Sequence, residues 1–361
     1  MTSQRQELLE SLVGQPVHIP DLRGLFSEWP AAVNPNLEDL RAFVSSSLKS
    51  KFAQNSAQYK TLDKMDIGLL TSAMWPDASF KRARVLSILV LWLFAWDDEM
   101  DTEIGRLADD FEAAEASRRE SIDKISHCFH LGNFSEQPVQ TNTFHDFLTT
   151  IGNAVNDDYG IDFRMLLLSE FKFTAECIST EQRRRLSSML PTPEEYIATR
   201  MGTSGSNITS LMNWYAPRRV IYLPAAENIC LERSYASETV LPLEVLTDPD
   251  MKVILDQVNL ILWTTNDLYS LRKEIGEKAV DSLVPLLYNR GGNLEAAVSQ
   301  VVHIMQEAIQ RLDRAATKLA TKFAGDETVA EGFSRYINTC RQNCTGSLYW
   351  SVRTARYSQP K

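Results

Sequence analysis

The stretch that decides the reading is Leu86-Ser87-Ile88-Leu89-Val90-Leu91-Trp92-Leu93-Phe94-Ala95-Trp96, followed at once by Asp97-Asp98-Glu99-Met100-Asp101. An apolar run of this length is too short for a bilayer, which needs about 20 residues. It reads instead as a helix buried on most sides that carries carboxylates to the mouth of an apolar cavity. On a helix Asp97 and Asp101 share one face, one turn apart, with Asp98 beside them. Like charges at that spacing repel, so a cation is needed nearby, and clustered carboxylate oxygens suit a hard divalent ion such as Mg²⁺. The competing reading is a solvated acidic turn at a helix end.

A second cluster lies far along the chain, in Leu262-Trp263-Thr264-Thr265-Asn266-Asp267-Leu268-Tyr269-Ser270-Leu271-Arg272-Lys273-Glu274. Asn266, Ser270 and Glu274 follow one another at four-residue intervals, a single helical stripe of amide, hydroxyl and carboxylate oxygens that can chelate one divalent ion. Lys273 lies next to the stripe, within reach of a phosphate. Alone this would be an ordinary polar helix face. With the first cluster it becomes more, because each sits at the end of a very apolar helix. Val90, Leu93 and Phe94 before the acids, and Leu262 and Trp263 before the amide, are expected to line one pocket. A greasy cavity rimmed by two metal sites calls for a hydrocarbon tail with a polyphosphate head, as in an isoprenyl diphosphate.

Composition narrows the alternatives. The 361 residues carry a net charge of −10, which argues against nucleic acid and against an anionic membrane surface. The first residues, MTSQRQELLE, lack the basic-then-apolar layout of a signal peptide, and no apolar run reaches transmembrane length, so a cytoplasmic protein without stable membrane insertion is expected. The five cysteines are scattered and include no CxxC, so zinc and a disulfide framework are not expected. His127 and His130 have no ligand-spaced partner and read as structural.

Helical periodicity dominates. Helices are expected over 36–55, 61–73, 77–101, 106–130, 139–156, 161–180, 193–212, 249–275, 294–324 and 328–352, with Asn34 or Asn36, Thr192-Pro193 and Asp248-Pro249 as start signals. The expected architecture is one all-α domain over 18–358, preceded by a flexible segment over 1–17. Asp109-Asp110-Phe111-Glu112 reads as part of a solvated helix and Asp157-Asp158-Tyr159-Gly160 as a turn.

The two clusters together resemble the metal motifs of class I terpene synthases. Asp97-Asp98-Glu99-Met100-Asp101 is similar to their aspartate-rich motif, and Asn266-Asp267-x-x-Ser270-x-x-Lys273-Glu274 matches their second motif at every defined position. Trp350-Ser351-Val352-Arg353-Thr354-Ala355-Arg356-Tyr357 resembles the ending of fungal sesquiterpene cyclases, where an Arg-Tyr pair binds diphosphate. Tyr196 to Gly205 resembles the segment that carries their diphosphate-sensing arginine. The early run Ile19-Pro20-Asp21-Leu22, with Trp29-Pro30 and Val33-Asn34-Pro35, also resembles the fungal group.

That resemblance implies an α-helical bundle around a deep apolar cavity and a lyase that ionises and cyclises farnesyl diphosphate to a sesquiterpene hydrocarbon or alcohol. It implies three Mg²⁺ ions, Mn²⁺ being able to substitute. Asp97, with Asp98 or Asp101, would hold two of them, and Asn266, Ser270 and Glu274 the third. Arg200, Lys273, Arg356 and Tyr357 would bind the diphosphate. The catalytic group is then Asp97, Arg200, Asn266, Ser270 and Glu274. Phe94, Trp75, Trp263 and Trp350 are candidate aromatic faces for a carbocation, and Asn259, two turns before Asn266, is a candidate holder of a water or a cation.

Two departures stand out. Ser204 occupies the effector position where glycine is more usual, after Arg200 as sensor and Thr203 as linker. The chain between Arg200 and Asn266 is also longer than the family's usual spacing. Its surplus is expected as an insertion near 213–233, where Pro217 and Pro224 would each cost about 3 kcal/mol inside a helix. A chain-elongating prenyltransferase of the same fold, and a protein that binds a prenyl diphosphate without turning it over, are the rival readings. The first usually carries a second aspartate-rich motif where this chain has Asn266, Ser270 and Glu274. Monomer and homodimer both remain open.

Overall fold

A computed structural model describes residues 4–54, 56–101, 106–131, 143–213, 231–233 and 240–357. The helices follow the chain as α1 (Gln4–Leu12), α2 (Leu37–Lys51), α3 (Ala57–Lys64), α4 (Ile67–Met74) and α5 (Phe80–Asp101). Then come α6 (Phe111–Cys128), α7 (Phe147–Asp158), α8 (Ile161–Leu186), α9 (Pro193–Thr203) and α10 (Ser206–Met212). The last five are α11 (Leu243–Leu246), α12 (Pro249–Gly276), α13 (Leu283–Gly291), α14 (Leu294–Lys322) and α15 (Glu327–Ser351). The fold is all-α, and among the described residues the exception is one short antiparallel pair, β1 (Leu231–Arg233) with β2 (Val240–Pro242). Of the expected insertion, residues 214–230 lie outside the described residues, and 231–233 form β1.

The apolar helices sit where their composition demands. Leu86, Leu89, Leu91, Trp92, Ala95 and Trp96 of α5 are essentially inaccessible to solvent, because α2, α3, α4 and α7 pack around that helix. Trp92 stacks on Trp96 at 5.0 Å and meets Phe171 of α8 edge-on at 5.7 Å. α12 is covered by α14 and α15, with α9, α10 and α13 also in contact. α15 returns across α4 and α12, so its C-terminal end is delivered between the two clusters seen in the sequence.

Helix starts follow the local signals. Thr192 and Glu195 form a complete capping box on α9, and Asp248 accepts from the Asp250 N–H at the head of α12. For α2 the work is done by Asn34 rather than by the cap residue Asn36: Asn34 Oδ1 accepts from the Asn36 N–H at 3.0 Å, while Asn34 Nδ2 donates to Ala78 O at 2.7 Å. Asp110, in the acidic run expected as part of a solvated helix, caps α6 by accepting from the Ala113 N–H.

Three expectations are corrected. The helix expected over 61–73 is two helices, because Asp66 takes a left-handed backbone (φ 51°) while capping α4 and holding Arg41 at 2.6 Å. The helix expected over 193–212 is broken after Thr203, since Gly205 takes φ 63°, a region that favours glycine. The segment 1–17, expected to be flexible, contains α1, with Leu8, Leu9 and Leu12 buried. Arg5 pairs with Asp281 and donates to Met189 O, Gln15 donates to the Tyr288 hydroxyl, and Arg272 of α12 donates to Val17 O. Three leucines plus these anchors offset the entropy of ordering the segment. The missed helix α13 is only nine residues long and carries Pro285 in its first turn.

Candidate active site

The acidic end of α5 divides its carboxylates by depth. Asp97 is partly exposed, Asp98 is buried, and Glu99 is buried against Arg106 at 3.0 Å. Asp101 is the last residue of the helix, and its side chain lies outside the described residues. Asp98 Oδ1 faces the Arg356 guanidinium at 3.6 Å. Burial opposes the charge on Arg356, yet Asp98, Tyr357 and Asp97 together hold its pKa above the ordinary arginine range. Phe94, one turn before Asp98, lies under the same guanidinium at 5.2 Å from the ring centroid, a cation–π distance.

The neighbouring residue reaches the second cluster. Asn266 Nδ2 donates to the Tyr357 hydroxyl at 2.6 Å, and burial pushes that phenol up to about 12. Consecutive residues thus join the two motifs, Arg356 touching α5 and Tyr357 touching α12. Trp350 completes this wall: its ring meets Tyr357 edge-on at 5.5 Å and Phe94 at 6.2 Å, and its indole N–H donates to Met65 O at 2.5 Å.

Along α12 the expected stripe is aligned. Ser270 Oγ lies 2.7 Å from Glu274 Oε1, one turn below Asn266. Burial raises the Glu274 carboxyl above the usual carboxylate range, and the negative Asp267 nearby adds to it. A cation on this stripe would remove that penalty, so the donor set fits a hard divalent ion. Among the described residues no three acidic, histidine or cysteine side chains converge on one point, so amide and hydroxyl oxygens have to complete the set. Lys273 is turned along the helix to Glu277 at 2.7 Å.

Arg200 reaches the stripe from α9. Its Nη2 donates to Asn266 Oδ1 at 2.7 Å, and its Nε lies 3.5 Å from Asp267 Oδ1. Asp267 is fully buried; its Oδ2 accepts from the Tyr196 hydroxyl at 2.8 Å and the Leu283 N–H at 3.1 Å. Burial raises the Asp267 pKa, although Arg200 and these donors oppose the rise. Burial also works against the Arg200 charge, but Tyr196 and Asp267 outweigh it and hold the guanidinium firmly protonated. Asp267 and Tyr196 were missed as site residues. The available signal was an aspartate one step off the metal stripe, pointing into the apolar side of its helix.

The other expected lining residues fall into four groups. Leu93 and Phe94 are half-buried, Leu93 approaching Gly205. Val90, Leu262 and Trp263 are buried, Trp263 edge-on to Tyr196 at 6.1 Å. Trp75 is engaged elsewhere, its indole donating to Asn213 Oδ1 at 2.6 Å, in a knot with Asn343. Asn259 is buried with its amide fully engaged by Ser204, Met201 and Asn207.

Residues 89–311 match the family model described as terpene synthase family 2, C-terminal metal binding. This chain belongs to the terpene synthase family. The match begins inside α5 and runs into α14, so it takes in both clusters. Full-length relatives agree. The synthase is 31% identical to the sesquiterpene cyclase hepA of Aspergillus oryzae, over 99% of this chain and 93% of that protein. It is 23% identical to the (+)-eremophilene synthase of Gibberella fujikuroi, over 94% of this chain and 88% of the relative. Among solved structures, a cucumene synthase variant superposes with a TM-score of 0.71 at 17% identity, covering 91% of this chain and 99% of that one. Germacradien-4-ol synthase from Streptomyces citricolor gives 0.68 at 17% identity, covering 90% and 97%. The synthase is a metal-dependent lyase of terpene type, and among the described residues no helix is long and apolar enough to cross a membrane.

Proposed function

We propose that this terpene synthase ionises and cyclises farnesyl diphosphate to a cyclic C15 product, with Mg²⁺ as its metal. The carrying observation is the Arg356-Tyr357 pair, which contacts the acidic end of α5 through Asp98 and the α12 stripe through Asn266. A phosphate-sized group placed there would meet carboxylates on one side and the Asn266, Ser270 and Glu274 oxygens on the other. The C15 chain length is supported by the full-length relatives named as a sesquiterpene cyclase and an eremophilene synthase.

In this reading Asp97 and Asp98, with Asp101, hold metal on the α5 side, and Asn266, Ser270 and Glu274 hold it on the α12 side. Bound Mg²⁺ supplies the positive charge that stabilises the departing diphosphate. The chain adds its own cations. Arg200 and Arg356, whose charges are secured by their buried neighbours, donate N–H bonds to diphosphate oxygens, and the Tyr357 hydroxyl donates a further one. Lys273 reaches the same oxygens once it leaves Glu277. As the allylic C–O bond breaks, its electron pair goes to the diphosphate oxygen, where the fixed donors around it stabilise the charge. The Phe94 and Trp350 faces lie next to the guanidinium end of the site, where such a cation is born.

Amide and hydroxyl donors on α12, where a chain-elongating enzyme would carry carboxylates, favour cyclisation over elongation. The test is incubation of purified protein with farnesyl diphosphate, with Mg²⁺ or with EDTA, followed by gas chromatography–mass spectrometry and measurement of released diphosphate. A Mg²⁺-dependent cyclic C15 product is expected. Diphosphate binding without release would support the non-catalytic reading instead.

A further inference from the structure

The break between α9 and α10 is tied across by side chains. Ser204, the C-cap of α9, donates from Oγ to Asn259 Oδ1 at 2.7 Å, and Ser204 Oγ accepts from the Ser206 N–H at 3.2 Å. Asn259 Nδ2 donates at 2.7 Å both to Met201 O in α9 and to Asn207 Oδ1 in α10. Asn207 in turn donates to Glu170 Oε2 of α8 at 3.1 Å. One fully buried amide on α12 therefore grips both sides of the break, and both its N–H bonds and its carbonyl are in use. That leaves it poorly placed to hold a water or a cation. The break also lies against α5 just before its acidic run. A Cβ on Gly205 would meet Leu93 Cδ2 at 3.8 Å, and Leu93 precedes Asp97 by one helical turn on the same face of α5.

We propose that Ser204 and Asn259 form a clamp that fixes the α9–α10 break against α12 and thereby governs which product the carbocation gives. The proposal rests on the cyclase reading above. Asn259 acts as a positioning residue. It lies seven residues before Asn266, so it shares the face of α12 that the metal stripe occupies, while α9 carries Arg200 just before the break. The clamp thus ties the frame of the diphosphate end to the wall beside Leu93, and a shift of about 1 Å in such a frame changes reaction outcome strongly. Glycine in place of Ser204 has no Oγ, so the Asn259 carbonyl would lose its partner and the Ser206 N–H its acceptor.

The test compares Ser204→Ala, Ser204→Thr, Asn259→Ala and the double variant Ser204→Ala/Asn259→Ala with the parent enzyme on farnesyl diphosphate and Mg²⁺. Diphosphate release and the product profile are measured separately. For Ser204→Ala the share of the main product is expected to fall at least about twofold, read as a fraction of total product so that any change in turnover cancels. Ser204→Thr, which keeps the hydroxyl, restores the parent profile. The double variant matches Asn259→Ala in profile, because both changes act on one contact. Hydrogen exchange at residues 201–207 rises about tenfold or more in Ser204→Ala, a readout that does not depend on turnover.

Unchanged profiles in both single variants would overturn the clamp while leaving the cyclase reading intact. So would a fall in kcat with no redistribution of products. A parent enzyme that releases no diphosphate would overturn both.

Discussion

Asp267→Asn isolates what the buried carboxylate beside the metal stripe contributes. Asparagine keeps the shape and one carbonyl oxygen, and since the Tyr196 hydroxyl and the Leu283 N–H both donate to Oδ2, that oxygen can keep both bonds. What disappears is the counter-charge 3.5 Å from the Arg200 guanidinium. Removing one partner of a buried ion pair costs about 3–5 kcal/mol, because the other charge stays buried. Arg200 keeps its contact to Asn266 Oδ1 and can turn outward, which sets the expectation at the lower end, about 3 kcal/mol. With an unfolding entropy of about 2 cal/mol/K per residue, a chain of 361 residues should then lose about 4 °C in Tm. An Arg200 that has lost its anchor should also grip diphosphate badly, and kcat/KM should fall about 100-fold, in the range seen when one preorganised donor is removed. Tyr196→Phe, which deletes a single hydroxyl donor to Asp267, should cost only about 1 kcal/mol and leave kcat/KM within about tenfold. Differential scanning fluorimetry and steady-state diphosphate release measure both quantities. An Asp267→Asn enzyme with the parent Tm and the parent kcat/KM would refute the anchoring role.

The remaining expectations concern the metal motifs, the acid limb of stability and the N-terminal helix. Glu274→Ala and Asp97→Asn should each keep the parent circular dichroism spectrum while lowering turnover by about 10²-fold or more; parent-like rates in both would sink the assignment of metal to these positions. Burial, partly opposed by Glu120, lowers the His145 pKa from 6.5 to about 4 in the fold, where its ring contacts Ser121 Oγ at 3.1 Å. A depressed folded pKa means that the contribution is complete above pH 6.5 and is lost as pH falls toward 4, about 3 kcal/mol in all. Urea titrations between those limits should therefore show a shallower fall in stability for His145→Gln than for the parent. Leu12→Ala, at a site only 1% exposed, should destabilise the protein by about 2–4 kcal/mol; an unchanged urea midpoint would mean that α1 is not held in solution.

The parts of this structure legible in the sequence are those encoded locally. The α5 and α12 patterns announce themselves because an apolar run ends in oxygen-bearing residues at helical spacing, and the capping box at Thr192 marks the start of α9 with no reference to the rest of the chain. The tail sequence around Arg356-Tyr357 showed what it resembled, but its place between the two clusters depends on how α15 crosses α4 and α12. What escaped was decided by single backbone angles or by long-range contacts. The positive φ of Asp66 and Gly205 each split an expected helix, and neither residue type requires that conformation. α1 was hidden because its three leucines find cover only in the folded molecule. What Asp267 and Asn259 hold was not legible locally, since their partners, Tyr196, Arg200, Ser204 and Asn207, lie more than fifty residues away.

The most direct measurement of the central claim is a crystal structure of the protein grown with Mn²⁺ and inorganic pyrophosphate, with the metal located by anomalous scattering. Peaks beside Asp97 on α5 and beside Asn266, Ser270 and Glu274 on α12, with pyrophosphate between them and within reach of Arg200, Arg356 and Tyr357, are the predicted result. Metal or pyrophosphate bound away from the α12 stripe, or contacting α5 with Arg356 and Tyr357 turned aside, would contradict the account.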